Sequence, residues 1–223
     1  MEHKRKIIAI DGPAGAGKST IAKRLAKELN FAYLDTGAMY RAVTLKALQA
    51  GVNLTNQDEL IRIAQNSKIE VVSSHDGQKI ILDGNDVSDV IRSTEVTGNT
   101  KYIANCSGVR KIVVGWQRKI AEGQSIVMEG RDIGTVVFPN ADYKFYLDAD
   151  LNERAQRRLK ELHEKGKPMD ENQLVQDIAQ RDQKDMERDS GPLCKADDAI
   201  VIDSTYLKIE EVINKMLQVI KYG

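Results

Sequence analysis

Eight residues near the start, Gly12-Pro13-Ala14-Gly15-Ala16-Gly17-Lys18-Ser19, constrain this chain more than any others. They fit the pattern G-x-x-x-x-G-K-[ST]. The apolar run Ile7–Ile10 precedes them, and an amphipathic stretch follows in which Ile21, Leu25 and Leu29 recur at four-residue spacing. Strand, glycine-rich turn and helix are therefore the expected order, and together they make an anion cradle. Glycines let backbone N–H groups curl round a phosphate that side chains would obstruct. The helix start turns its positive dipole end to the same anion. Lys18 reaches the β- and γ-phosphates of a nucleotide, the Ser19 hydroxyl is placed to ligate Mg²⁺, and Thr20 completes the set. By composition alone the pattern arises in roughly one chain of this length in a hundred, and the flanking strand and helix make chance rarer still.

Short β-like runs alternate with helical patterns along the rest of the chain, the signature of an α/β fold with a parallel sheet. Strands are expected at Ile7–Ile10, Phe31–Leu34, Ser125–Met128, Tyr143–Leu147 and Ala199–Ile202, each ending on or beside a carboxylate: Asp11, Asp35, Glu129, Asp148 and Asp203. The carboxyl ends of such strands form the ligand crevice. Between Asp35 and Ser125 lies too much chain for one crossover. Thr36 to Ala50 reads as a helix closed by Gly51, and Thr55 as the cap of a second helix with Asp58 in its first turn. The stretch IEVVSSHDGQKIILDG reads as a β-hairpin turning at Asp76-Gly77, and Ser107 as the cap of a helix running to Gly123.

Composition narrows the function. The chain has 223 residues, 41% hydrophobic and 30% charged, with Lys+Arg and Asp+Glu both at 33. A soluble globular protein follows, with no global field to favour nucleic acid or membrane. Cys106 and Cys194 lie far apart without a C-x-x-C, as expected of thiols in a reducing cytoplasm. His3, His75 and His163 share no ligand spacing, so no structural zinc is expected. The apolar run near the N-terminus is too short for a signal peptide, and no run approaches a membrane span.

A second set of charged residues sits where an acceptor would. Asp35-Thr36-Gly37 falls at a strand end, with Tyr40-Arg41 a helical turn further on. Arg41 and the Thr36 hydroxyl suit an acceptor phosphate, and equally suit a helix cap followed by a solvated arginine. Glu129, Arg131 and Asp132 cluster round Gly130 after a buried-looking strand, a pattern found more often at sites than on surfaces. Arg154, Arg157 and Arg158 stand at helical spacing after the possible cap Asp150, and Arg181, Asp185 and Arg188 stand at i, i+4 and i+7 on a helix opened by Asp170. Alone these are solvated helix faces. Beside a phosphate-binding loop, such arginines neutralise charge on a phosphoryl group in flight.

Taken in order, GPAGAGKST, DTGAMYR, EGRDIGTVVFPNAD, RDQKDMER and ADDAIVIDST resemble the bacterial cytidylate kinase family across nearly the whole chain. The resemblance implies a P-loop NTPase core with a five-stranded parallel sheet flanked by helices, an inserted α+β acceptor-binding lobe and a short helical lid. It implies a single domain, 1–223, with the core near 1–35, 124–150 and 189–223, the insert near 36–123 and the lid near 151–168. The implied reaction is transfer of the γ-phosphoryl group of ATP, with Mg²⁺, to CMP or dCMP and weakly to UMP, in a cytoplasmic monomer. Gly12 through Thr20 would hold ATP. Thr36, Arg41 and Arg131 would hold the acceptor phosphate, Arg110 and Asp132 the cytosine edge, and Arg181 and Asp185 the sugar. Arg188, with Arg157 or Arg158 from the lid, would face the phosphates. The chemistry agrees: cytosine offers an N4 amine donor and an N3 acceptor, and uracil reverses both. Two positions depart from the family pattern: Glu129 stands where Asp is usual, and Lys101 where some members carry a small hydroxyl residue.

Rival readings lack their residues. Kinases of UMP, AMP, dTMP or shikimate share the fold, and the adenylate-kinase type usually carries a longer lid than the segment from about Arg154 to Gly166 allows. A GTP switch needs D-x-x-G and N-K-x-D, and neither occurs. A motor ATPase needs a catalytic carboxylate directly after a strand's terminal Asp, which YLDAD lacks.

Overall fold

A computed structural model describes residues 5–74, 77–164, 166 and 169–222. The apolar run after the N-terminus forms β1 (Ile7–Asp11), the glycine-rich turn follows, and α1 (Lys18–Leu29) leads to β2 (Ala32–Asp35). α2 (Thr36–Gln49) and α3 (Gln57–Gln65) come next, then β3 (Ile69–Ser74), β4 (Gly77–Leu82) and β5 (Asn85–Asp86). A short 3₁₀ turn at Val90–Arg92, α4 (Thr94–Asn105) and α5 (Ser107–Ala121) return the chain to β6 (Ile126–Gly130). One wide π turn, Ile133–Val137, precedes β7 (Tyr143–Asp148). α6 (Leu151–Glu164), α7 (Glu171–Met186), β8 (Ile200–Asp203) and α8 (Ile209–Tyr222) complete the chain.

The five expected core strands all form, within a residue or two of the expected bounds, and pair in parallel in the order β2-β6-β1-β7-β8. Central strands of such a sheet are covered on both faces and read as unbroken apolar runs, as β1 does. Its Ile8 and Ile10 face α1 and α8 with Leu25, Phe145 and Met216, while Ala9 faces α2 and α5 with Met39, Val43 and Val113. This register brings Asp11, Asp35, Glu129 and Asp148 to one edge, above which the P-loop closes.

The insert holds more structure than its sequence pattern suggested. β3, β4 and β5 make a separate antiparallel sheet. The 3₁₀ turn and α4 were not foreseen, because Thr94–Asn105 carries three β-branched threonines, a glycine and little apolar periodicity. α2 is buried nearly all round: Met39, Val43 and Ala47 pack on the core, and Ala38, Ala42 and Leu45 on the small sheet with Ile80 and Leu82. Gln78 of β4 pins that sheet to the core by accepting the Asp35 N–H at 2.9 Å.

Local corrections follow from hydrogen bonding. Asn56, not Thr55, caps α3, its side chain accepting from Glu59 N, while the Thr55 hydroxyl donates to Asn53. Ser107 is the first residue of α5, and the cap position falls to Cys106 without a side-chain bond. α7 ends at Met186, so Arg188 lies beyond the helix and not on its face. Asp76 of the expected hairpin turn lies outside the described residues, as do His3 and His75. Among the described residues, no helix is long and apolar enough to cross a membrane.

Candidate active site

Gly12 and Gly17 take φ of +152° and +87°, and a Cβ on Gly12 would collide with the Leu147 carbonyl, so the loop packs directly on β7. Gly17 caps α1 without a side-chain bond, leaving the first helical amides open to an anion. Lys18 is buried with its Nζ donating to the Pro13 carbonyl at 2.6 Å. Burial, and then the cationic Arg131, push it down to about 7, against Glu129 and Asp11. Ser19 and Thr20 are exposed at the loop's mouth.

The strand ends hold the rest. Asp11 accepts from Ile133 N at 2.9 Å and Gly134 N at 2.7 Å, and burial pushes it up to about 6. Those bonds hold the start of the π turn, directly after Arg131 and Asp132. Gly130 must be glycine there, since a Cβ would lie 2.8 Å from the Thr36 hydroxyl and 2.7 Å from Ile133 Cδ1. Thr36 donates to the Glu129 carbonyl at 2.7 Å, and the Tyr33 hydroxyl donates to the Glu129 carboxylate at 2.6 Å. Burial and the neighbouring Asp35 carboxylate push Glu129 up, opposed by Lys18 and the Ser19 and Tyr33 hydroxyls. Ser19 and Glu129 offer oxygen only, the donor chemistry of Mg²⁺, which keeps most of its shell as water and phosphate. These residues fit that ion.

Arg110 and Asp132 form a buried ion pair, with Arg110 also donating to the Ala104 carbonyl at 3.2 Å and lying 5.3 Å from the Tyr40 ring centre. Burial pushes Asp132 up while Arg110 pulls it down. Gly191, at φ +59°, leans on this pair so closely that any Cβ would collide with both. Asp185 accepts from Arg131 Nε at 2.8 Å with one oxygen and from Arg188 with the other. Arg188 also donates to Asn105 Oδ1 at 3.1 Å, tying α4 to the end of α7. Arg181 retains solvent access, yet protein crowded round its guanidinium, and then the nearby Arg131, push it down to about 10. Arg41 pairs with Asp35 at 2.8 Å, and Asp35 also faces Arg92 at 3.6 Å. Burial pulls Asp35 upward, but the two arginines and the Ala38 amide outweigh it and hold the carboxylate below its usual range.

Lys18, Thr36, Arg41, Arg110, Arg131, Asp132, Arg181, Asp185 and Arg188 therefore belong to one connected cluster of polar and charged groups beside the strand ends. Arg157 and Arg158 do not reach it. Arg157 donates to the Ser204 hydroxyl and to the Ser204 and Thr205 carbonyls beyond β8, and Arg158 pairs with Glu161 toward solvent. Lys101 lies exposed on α4, its Nζ 5.1 Å from the Tyr102 ring centre. Asp11 was marked in sequence only as a strand-end carboxylate, whereas Tyr33, Arg92 and Gly191 carried no sequence signal for the parts they take here. Arg154, singled out by its spacing to Arg157 and Arg158, turns away from these groups to pair with Asp182 beside the P-loop backbone.

The cytidylate kinase family model matches residues 8–222. The chain belongs to that family. The cytidylate kinase of Alkaliphilus oremlandii is 50% identical over 214 residues, covering 96% of this chain and 97% of the relative. That of Desulforamulus reducens is 48% identical over 220 residues, covering 99% of each. Among solved structures, an uncharacterized protein from Eubacterium ventriosum aligns with a TM-score of 0.54 at 16% identity, covering 99% of this chain and 100% of that one, which bears on the fold alone. Membership makes the chain a nucleoside-monophosphate kinase, a transferase that binds its nucleotide on a P-loop.

Proposed function

We propose that this chain transfers the γ-phosphoryl group of ATP to CMP or dCMP, releasing ADP and the nucleoside diphosphate. The observation that carries the reading is the buried Arg110–Asp132 pair, which has Arg131 and Arg188 as charged neighbours. A carboxylate that accepts from an exocyclic amine, beside a guanidinium that donates to a ring nitrogen, complements cytosine and mismatches uracil.

The donor's phosphates lie on the amides of Gly15 through Thr20, with Lys18 across their outer oxygens. Mg²⁺, held through Ser19 with Glu129 behind it, supplies charge neutralisation to the donor when bound. Thr36, Arg41 and Arg131 hold the acceptor phosphate, and Arg181 and Asp185 hold its sugar. Asp185 must then exchange one of its arginine partners for the sugar hydroxyls, which frees Arg131 or Arg188 to turn to the phosphates. Transfer is direct and in line, without a covalent enzyme intermediate. Positioning and positive charge supply the acceleration, and closure excludes water so that ATP is not hydrolysed. For Arg157 or Arg158 to take part, the α6–α7 lid has to rearrange from its present contacts. One chain supplies every group, in keeping with a monomer, and the unpaired thiols Cys106 and Cys194 suit a reducing cytoplasm.

A coupled ADP-release assay across CMP, dCMP, UMP, AMP, GMP and shikimate tests this. CMP and dCMP should lead, UMP should trail, and Lys18→Ala should leave less than about a tenth of kcat with the fold intact. Preference for AMP, GMP or shikimate would overturn the acceptor assignment.

A further inference from the structure

Arg154 and Asp182 have no role in the scheme above, yet they are among the best-buried charges in the protein, with side chains 9% and 7% exposed. Arg154 lies in the first turn of α6 and Asp182 in the last turns of α7, and their side chains pair directly. Both grip the same P-loop residue. Asp182 Oδ1 accepts the Ala14 N–H at 2.8 Å, and Arg154 donates to the Ala14 carbonyl at 2.9 Å. Arg154 Nε also donates to the Ala149 carbonyl at 3.0 Å, just past β7. The next residue, Gly15, has φ +79° and would bring a Cβ within 3.2 Å of Arg154 Cβ.

Packing does not require this arrangement. α6 and α7 have their own apolar seam of Ala155, Leu174 and Ile178, and exchanging a buried ion pair for apolar groups is often neutral or stabilising. What the pair does is bind the P-loop's backbone to α7 through charge-assisted hydrogen bonds. It does so at the root of the helix pair, where α6 begins and α7 approaches its end. Asp182 is the immediate neighbour of Arg181 and lies one turn from Asp185, on the same rigid helix. We propose that Arg154 and Asp182 are positioning residues that fasten α7 to the P-loop at Ala14, so that filling the loop with a nucleotide is transmitted to Arg181 and Asp185 in the acceptor crevice. The proposal rests on the reading that those two residues hold the acceptor. Linkage makes it reciprocal: the acceptor must alter the loop's affinity for nucleotide by the same factor.

Calorimetric titration of CMP into the enzyme, with and without saturating ADP, tests it. In the native enzyme ADP should change the CMP dissociation constant by about fivefold or more. The double variant Arg154→Met/Asp182→Leu keeps the packing volume and removes the fastening. Its CMP affinity without ADP should stay within about twofold of native, and the ADP effect should fall below about twofold. Persistence of the full ADP effect in that variant overturns the proposal, as does its absence from the native enzyme. Should the variant not fold, amide exchange on the native protein decides: CMP alone must slow exchange across Ala14–Lys18, and unchanged exchange refutes the link. Failure of CMP to bind the native enzyme at all would instead overturn the functional reading, and this inference with it.

Discussion

Asp132→Ala separates base reading from structural support, because the two consequences are measured independently. Arg110 is 3% exposed and, among the described residues, donates apart from Asp132 only to the Ala104 carbonyl. Removing one partner of a buried pair costs about 3–5 kcal/mol, since the other charge is left uncompensated. For a chain of this size about 2–4 °C accompanies each kcal/mol, so thermal unfolding should drop by about 6–20 °C. Opening of the Gly191 segment, which rests on the pair, would admit water and bring the value toward the lower figure. The activity effect is separate. With the carboxylate gone, the cytosine N4 amine loses its acceptor and the repulsion against uracil O4 disappears. The CMP-to-UMP ratio of kcat/KM should therefore narrow by about 1–3 kcal/mol, or about 5- to 150-fold. Both substrates are assayed side by side, well below the variant's unfolding midpoint, so that lost folding cannot enter the ratio. An unchanged ratio in a folded variant would refute base reading whatever happened to the absolute rates. An unchanged midpoint would refute the claim that Arg110 depends on this partner.

Lys18 should titrate near neutrality in the free enzyme, being pushed down to about 7 from 10.5 by burial. Because its folded value is the lower one, the folded state binds fewer protons than the unfolded state between about 7 and 10.5. The destabilising cost is thus full below about 7 and fades as pH rises through that window. Phosphate beside Lys18 restores the charged form, so ADP binding at pH 8 should take up a proton. Calorimetry in buffers of different ionisation enthalpy reads this directly, and no uptake, or equal uptake by Lys18→Met, would contradict it. Arg188→Ala should lower kcat more than it raises KM for either substrate, by less than the factor of about 10³–10⁵ lost with a lone arginine finger, since Arg131 and Arg181 share the crevice. A rise in KM for ATP alone would make Arg188 a ground-state contact.

Much of the architecture was legible in local pattern. Five apolar runs, each closed by a carboxylate or glycine, dictated the parallel sheet and its ligand edge, because a doubly covered strand has to be apolar throughout. Gly12 through Ser19 dictated the phosphate loop, because few other residue types let a backbone wrap an anion. The one-residue shift of caps at Asn56 and Cys106 lay beyond pattern, since several neighbouring residues there have side chains able to cap and only geometry chooses among them. So did α4, whose stability comes from packing and not from propensity.

For the crevice, residue type and spacing marked out the arginines, but not their partners. Asp185 bridging Arg131 and Arg188, Arg92 facing Asp35, Gly191 sealing Arg110 against Asp132, and Asp182 reaching Ala14 across 168 residues of chain are all long-range meetings. Arg154 and Arg157 show the limit most plainly. They stand three apart on one helix, and one turns inward to the P-loop while the other turns to the Ser204 segment. Spacing along a helix sets the direction in which a side chain leaves it, whereas the partner it finds depends on which distant strand end or loop the packed core has brought there.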